Sequence, residues 1–376
     1  MSAIPTTRSM ISRILLPGII LQSVLIGGGF ATGREIVEYG GRFGSSGWIS
    51  GLAIFFGFSI LASLTFEACR QWKVYDYKSL LKKLIGRGWI AYEISYLLLG
   101  ILIIAVMASA AGEILNATLG FNVWIGITLI IVIVGFLNYM GEHFIAQMKT
   151  IGTIALFGAY TVFGILVFSN RSTQIVEAFI QSGANDTTGT PGVLFLIWTG
   201  ITYVGYNLAV YPATLFTIKQ LHSKKESLIA GVVAGLLMTI PWFLTYVAIM
   251  AYYPSQEVLG AAVPWLVMLK PFGSNLIIVF GIVVGWTLIE TATGIIHAFI
   301  GRIDVDVFQK SEKHLAGKHK AIISLIALVA AMLLAQVGII DLIAKGYSFM
   351  AYAMILFYGV PLLVAAPKLF GGKLNQ

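Results

Sequence analysis

Ten stretches of this chain are apolar for long enough to cross a bilayer, and that repetition restricts the fold more than any other feature. They fall at about 10–40, 47–68, 89–112, 121–140, 149–168, 191–218, 227–252, 273–300, 321–338 and 347–366. A hydrocarbon core of ~30 Å takes about 20 apolar residues per helix. Lipid offers the backbone no hydrogen bonds, so each stretch is expected to be helical. Composition agrees: 11% of residues are charged, against about 25% in soluble chains, and mean hydropathy is +0.90. The expected fold class is an all-α polytopic membrane protein with ten transmembrane helices, a single transmembrane domain over 1–376. The first apolar run continues past any small-residue cleavage site, so it is expected to remain as a span. Cys69 is the only cysteine, which excludes an internal disulfide and a cysteine-based metal cluster.

The net charge of +8 is a matter of topology. With the N-terminus inside, the cytoplasmic segments hold Arg8 and Arg13, the run Arg70, Lys73, Lys78, Lys82, Lys83 and Arg87, then Lys149, Lys219, Lys224 and Lys225. They also hold Arg302, Lys310, Lys313, Lys318, Lys320, Lys368 and Lys373. Only Arg34, Arg42, Arg171, Lys270 and Lys345 fall outside. Basic residues prefer cytoplasmic loops, so both termini are expected in the cytoplasm and the location is the cell (cytoplasmic or inner) membrane. Anionic lipid headgroups account for the basic excess. Nucleic acid is not needed as a partner, and no obligatory protein partner is indicated.

The polar connection 169–190 divides the chain into two sets of five spans, 10–169 and 190–368. Five is odd, so the second set must run through the membrane opposite to the first. Pro17-Gly18-Ile19 opens one set and Pro191-Gly192-Val193 opens the other.

Each opening span then breaks. In the first, Gly27, Gly28, Gly29 and Gly33 fall within seven residues around Phe30. Glycine costs roughly 1 kcal/mol against alanine inside a helix, so an unwound segment is expected at mid-membrane depth. Freed backbone groups there must face protein, ion, substrate or water. The alternative is close helix packing through small residues. In the second set, Thr199-Gly200-Ile201-Thr202-Tyr203-Val204-Gly205-Tyr206-Asn207, followed by Pro212, is expected to break likewise. Interrupted helices at matching places in inverted halves point to the binding site of a secondary transporter. Candidate substrate-binding residues are therefore Gly27, Gly28, Gly29, Phe30, Thr199, Gly200, Thr202, Tyr203, Tyr206 and Asn207. Tyr211 and Tyr246 are read as packing or interface residues.

Span eight carries a small and polar face in Thr287, Glu290, Thr291, Gly294 and His297. A carboxylate at that depth costs roughly 2.5–3.5 kcal/mol on insertion scales, so Glu290 needs water, a partner or a proton. Either a coupling or substrate-ammonium role, or a structural hydrogen bond or ion pair, fits this position. Arg34, Glu35 and Glu38 would pair across an outer gate, or Arg34 and Glu38 would form an ordinary i,i+4 contact. Enzyme signatures are missing: Glu142-His143 lacks a second metal-binding histidine, and there is no phosphate-cradling glycine–lysine loop. The glycosylation-type triplets at Asn116, Asn170 and Asn185 are taken as chance occurrences.

The stretch GGGFATGREIVEYGG at 27–41, with the Glu290-Thr291-x-x-Gly294 stretch, resembles the YkvI-type membrane proteins over essentially the whole chain. The glycine break and the ending Glu38-Tyr39-Gly40-Gly41 are similar to the first span of LeuT-fold transporters, within the amino acid–polyamine–organocation superfamily. That resemblance implies a LeuT-like 5+5 inverted repeat with broken helices 1 and 6, in which a bundle of spans 1, 2, 6 and 7 rocks against spans 3, 4, 8 and 9. It implies a substrate carboxylate at Gly28 and Gly29, and a coupling-ion site at Ser23, Ile26, Thr287, Glu290 and Thr291. Sodium would meet the carbonyls of Ser23 and Ile26 and the hydroxyls of Thr287 and Thr291. Glu290, between those two threonines, fits a proton as well. No other cofactor is expected. The function so implied is cation-coupled secondary transport of a small amino-acid-like or amine solute by alternating access. The alternative is a receptor or gated conduit of the germinant-receptor kind.

Overall fold

A computed structural model describes residues 10–140, 142–184, 191–312 and 314–370. Asn185, and the side chains of Glu142, His143 and Lys149, lie outside the described residues. Every element among the described residues is helical. Among the described residues, seven stretches are long and apolar enough to cross a membrane: Gly41–Trp72, Tyr77–Leu119, Val193–Gln220, Lys224–Met250, Ser274–Val305, Gly317–Ala335 and Ile339–Phe370. Shorter apolar helices cover Met10–Leu25 and Val123–Asn138.

The first expected span is three helices in series: α1 (Met10–Leu25), α2 (Gly28–Ala31) and α3 (Arg34–Tyr39). α4 (Gly47–Trp72), α5 (Tyr77–Ile85), α6 (Trp89–Leu119) and α7 (Val123–Met140) follow. α8 (Glu142–Ala184) runs on through most of the polar stretch expected as a loop at 169–190, with non-helical backbone at Arg171 (φ −133°, ψ 25°). That expectation is corrected for a packing reason. Beyond Arg171 the apolar Phe179 meets Tyr246 at 6.1 Å between ring centres, and the Arg171 guanidinium lies 4.2 Å from the centre of the Tyr252 ring. Tertiary contacts outweigh the local preference of Ser169–Thr173 for a turn.

α9 (Val193–Asn207) passes into a 3-10 run, Leu208–Gln220. Beyond it come α10 (Lys224–Met250), α11 (Gln256–Leu259), α12 (Pro264–Leu269), α13 (Ser274–Ser311) and α14 (Gly317–Ala335). The last membrane stretch contains α15 (Ile339–Asp341), α16 (Ser348–Met354) and α17 (Val360–Phe370), with the wider π turns Leu342–Tyr347 and Ile355–Gly359 between them.

Two groups of helices pack among themselves. α4 lies against α9 and α10, while α1 lies against α10 and the 3-10 run. The second group is α6, α7, α13 and α14. α4 and α10 approach closely because small residues meet at four-residue spacing: a Cβ at Gly231 would overlap Ser63, and one at Gly235 would overlap Ser59. Without a hydrophobic drive between helices in lipid, such close backbone approach is what holds them. α2 touches both α6 and α13, so the interrupted first span stands where the groups meet.

Candidate functional site

The backbone leaves helical form twice in the first span. α1 ends at Leu25, and Gly27 is extended (φ −86°, ψ −171°) before α2. After α2, Gly33 takes the left-handed region (φ 82°), which α3 then follows. Every polar main-chain group freed at this depth needs a partner, and the second interruption shows how they are found. The Thr32 hydroxyl donates to the Gly29 carbonyl (2.8 Å) and accepts from the Arg34 N–H (3.1 Å). The main-chain N–H of Trp265 donates to the Thr32 carbonyl (3.3 Å), and the Tyr160 hydroxyl donates to the Ala31 carbonyl. Threonine at 32 and tyrosine at 160 thus serve the carbonyls of Gly29 and Ala31, which the turn at Gly33 takes out of the regular helical pattern.

A cavity of about 120 Å³ adjoins this segment. Its walls are Gly27, Gly29, Phe30 and Glu35 from the first span, Tyr206, Asn207 and Val210 around the end of α9, and Tyr96, Leu99 and Met107 from α6. Thr291 and Ile295 of α13 and Tyr347 complete it. A larger cavity of about 370 Å³ lies on the other side of Phe30, between α1, α8, α10 and α12, and takes in Gln22, Ile26, Tyr160, Thr245 and Trp265. Phe30 lines both and forms part of the wall between them.

The predicted residues divide accordingly. Gly27, Gly29, Phe30, Tyr206 and Asn207 are brought together around the smaller cavity. Gly28 is the first residue of the four-residue α2 beside them. Thr199, Gly200, Thr202 and Tyr203 do not line it. The break expected at 199–207 is corrected: α9 is continuous helix through Asn207. Gly200 serves packing, since a Cβ there would stand 2.7 Å from the Ala53 side chain and 2.5 Å from the Ser50 carbonyl. Thr199 and Thr202 bond back to the carbonyls of Phe195 and Trp198, within their own helix. The α geometry gives way at Leu208, and the cause is Pro212. Proline has no N–H to offer the carbonyl four residues before it, and its ring crowds that carbonyl. A 3-10 run longer than three or four residues is uncommon; this one extends from Leu208 to Gln220.

Of the expected ion-site residues, Thr291 lies on the cavity wall, with its hydroxyl 3.3 Å from where a Cβ of Gly27 would stand. Thr287 is buried and donates to the Val283 carbonyl (2.9 Å). The Ser23 side chain is exposed and bonds to the Ile20 carbonyl (2.9 Å). Ile26 faces the larger cavity. Glu290 is half-buried and is not part of the smaller cavity's wall. Tyr211 and Tyr246 are buried packing residues, with hydroxyls on the carbonyls of Phe58 and Gly44.

The acidic residue at the cavity is Glu35, only 5% exposed, which sequence spacing had associated with an outer gate. Its Oε2 accepts a hydrogen bond from the Tyr206 hydroxyl (2.7 Å), and its Oε1 lies against Gly29, where any added Cβ would overlap it. Arg34 faces elsewhere. Its guanidinium donates to the carbonyls of Leu259 (2.6 Å) and Ala261 (3.2 Å) and pairs with Glu38 (3.2 Å), the i,i+4 contact. Arg42 also pairs with Glu38. The Tyr347 ring lies tilted against that of Tyr206 at 4.6 Å between ring centres, and Tyr203 stands at 5.4 Å from Tyr206. Among the described residues, no three His, Cys, Asp or Glu side chains converge as a metal-ligand set.

Solved structures share this architecture. MhsT, determined with L-phenylalanine, matches with a TM-score of 0.60 at 15% identity, over 96% of this chain and 89% of its own. A manganese transporter of Eremococcus coleocola matches with a TM-score of 0.59 at 13% identity, over 99% of this chain and 84% of its own. The fold is that of the LeuT-type transporters. In sequence the chain is similar to YkvI, an uncharacterised membrane protein of Bacillus subtilis (strain 168), at 23% identity over 93% of this chain and 95% of that one. No known family profile matches. The chain is a multi-pass membrane protein, and the LeuT-fold proteins it resembles are transporters rather than enzymes.

Proposed function

We propose that this protein is a secondary transporter that carries a small amino-acid-like or amine solute by alternating access, driven by a proton or sodium gradient. The observation that carries this reading is the position of the smaller cavity. Its walls come from both helix groups, α1–α3 and α9 on one side and α6 and α13 on the other. A solute held there touches both groups, so its binding energy can differ between their two relative positions, and without such a difference no equilibrium shifts. The interrupted first span and the 3-10 run after α9 fill the places of broken helices 1 and 6 in a 5+5 inverted repeat. The bundle α1–α4, α9 and α10 would rock against α6, α7, α13 and α14. Both termini lie in the cytoplasm in this arrangement, within the cell membrane.

Coupling is assigned to the α13 face. Thr291 beside Gly27 joins Thr287, Ser23 and Ile26 as the sodium alternative, and Glu290 is the proton alternative. The test is purified protein in liposomes, with labelled alanine and labelled ethylamine as representatives of the two solute classes. Uptake that rises under an imposed proton or sodium gradient supports the carrier; binding without flux makes the protein a sensor. Glu290→Gln is expected to abolish proton-driven uptake and to spare solute exchange at equal pH. Unchanged proton dependence in that variant removes Glu290 from coupling.

A further inference from the structure

The smaller cavity is furnished with its own carboxylate, and that narrows what it accepts. Glu35 comes back onto Gly29 because the left-handed turn at Gly33 restarts the helix in a new direction. Tyr206 satisfies Oε2, while among the described residues no hydrogen bond reaches Oε1. No lysine, arginine or histidine among the described residues stands within ion-pair distance of Glu35, and neighbouring Arg34 is engaged by Leu259, Ala261 and Glu38. A carboxylate removed from water without a counter-charge costs several kcal/mol. Nature does not leave such a group unpaired; it is compensated by a proton, a cation or a ligand.

The surroundings select among these. The rings of Tyr206 and Tyr347 line the cavity beside Glu35, and the faces of such rings attract cations. The place beside Gly29 that a substrate carboxylate would take already holds Glu35 Oε1. A second carboxylate confined with it in about 120 Å³ would repel it, and at such short range in a poorly solvated space that repulsion is strong.

We propose that Glu35 receives the ammonium group of the transported solute, and that this solute is a small primary amine without a carboxylate of its own. The inference rests on the carrier reading of the same cavity and chooses the amine over the amino acid. Tyr206 is the positioning residue that fixes the carboxylate, and the cavity volume limits the solute to a few heavy atoms.

Pairs of compounds that differ only by a carboxylate test it: ethylamine against alanine, and ethanolamine against serine. Binding of each to the purified full-length protein is measured by competition with labelled ethylamine and, separately, with labelled alanine. The amines are expected to bind at least about tenfold more tightly than their amino-acid counterparts, and Glu35→Gln to lose at least about tenfold in amine affinity, as loss of a charge-assisted contact implies. Alanine and serine binding as tightly as the amines, or being carried in their place, overturns the proposal and leaves the carrier intact. Full amine affinity in a monodisperse Glu35→Gln protein overturns it as well. Neither class binding or moving overturns this proposal and the carrier together. The ranking of the pairs needs only the wild-type protein, so a variant that fails to fold does not remove the test.

Discussion

At the scale of single residues, the hydrogen bond from Tyr206 to Glu35 is the contact on which the site turns. It joins α3, the short helix after the turn at Gly33, to the end of α9, two segments far apart in sequence. Tyr206→Phe keeps the ring contact with Tyr347 and removes only the hydroxyl. Loss of a hydrogen bond to a charged group costs about 1.5–3 kcal/mol, so amine affinity in that variant is expected to fall about tenfold or more in the same competition measurement, with uptake rate at saturating amine little changed. An unchanged affinity would mean that Tyr206 does not orient the carboxylate. Part of this site is legible in sequence. Gly27, Gly29 and Phe30 announce themselves by the cost of clustered glycine, and the four-residue spacing of Arg34 and Glu38 gives their ion pair. Glu35 is not legible in the same way. Its direction depends on the turn at Gly33, and once a helix restarts, the spacing before the turn carries no information about the face after it. Thr291 and Glu290 pose the same difficulty at finer grain. They are adjacent on one polar face, and only packing decides that Thr291 reaches the cavity wall.

At the scale of elements, the interruption of the first span at Gly33 and that after α9 have different causes. The first is made by glycine: Gly33 at φ 82° is a conformation that costs other residues roughly 1–2 kcal/mol, and a Cβ there would also stand 2.9 Å from Trp265 Cδ1. Gly33→Ala is therefore expected to lower the melting temperature of the purified protein. Gly317→Ala, at a position with nothing within 4 Å and no positive φ, should leave it unchanged. Equal melting temperatures for the two would show that the turn is not constrained. The second interruption is made by proline, and so it begins at Leu208 rather than at the glycines of α9. Gly200 and Gly205 look like breaks in sequence because glycine both unwinds helices and lets them touch; contacts with α4 and with Ala351 and Ile355 decide for touching. The polar stretch after Ser169 misleads for a related reason, since a solvated amphipathic helix and a loop share composition, and only the contacts of Phe179 and Arg171 tell them apart.

At the scale of the whole molecule, helical membrane architecture follows directly from the apolar runs, because lipid leaves the backbone no other choice. Which helices pack together is a different matter. The seam of Gly231 and Gly235 against Ser59 and Ser63 forms between residues more than 150 positions apart, and no local pattern specifies it. That seam and the α6–α7–α13–α14 group give the molecule two bodies with a cavity between them, and a carrier needs this division where a conduit or a sensor does not. Counterflow tests it most directly. Liposomes containing the protein are loaded with unlabelled ethylamine and diluted into a trace of labelled ethylamine, with no ion gradient applied. A carrier that opens to one side at a time exchanges one solute for the other, so the label is expected to accumulate transiently above its equilibrium level and then decline. A label that rises smoothly to equilibrium, or does not enter, contradicts the account.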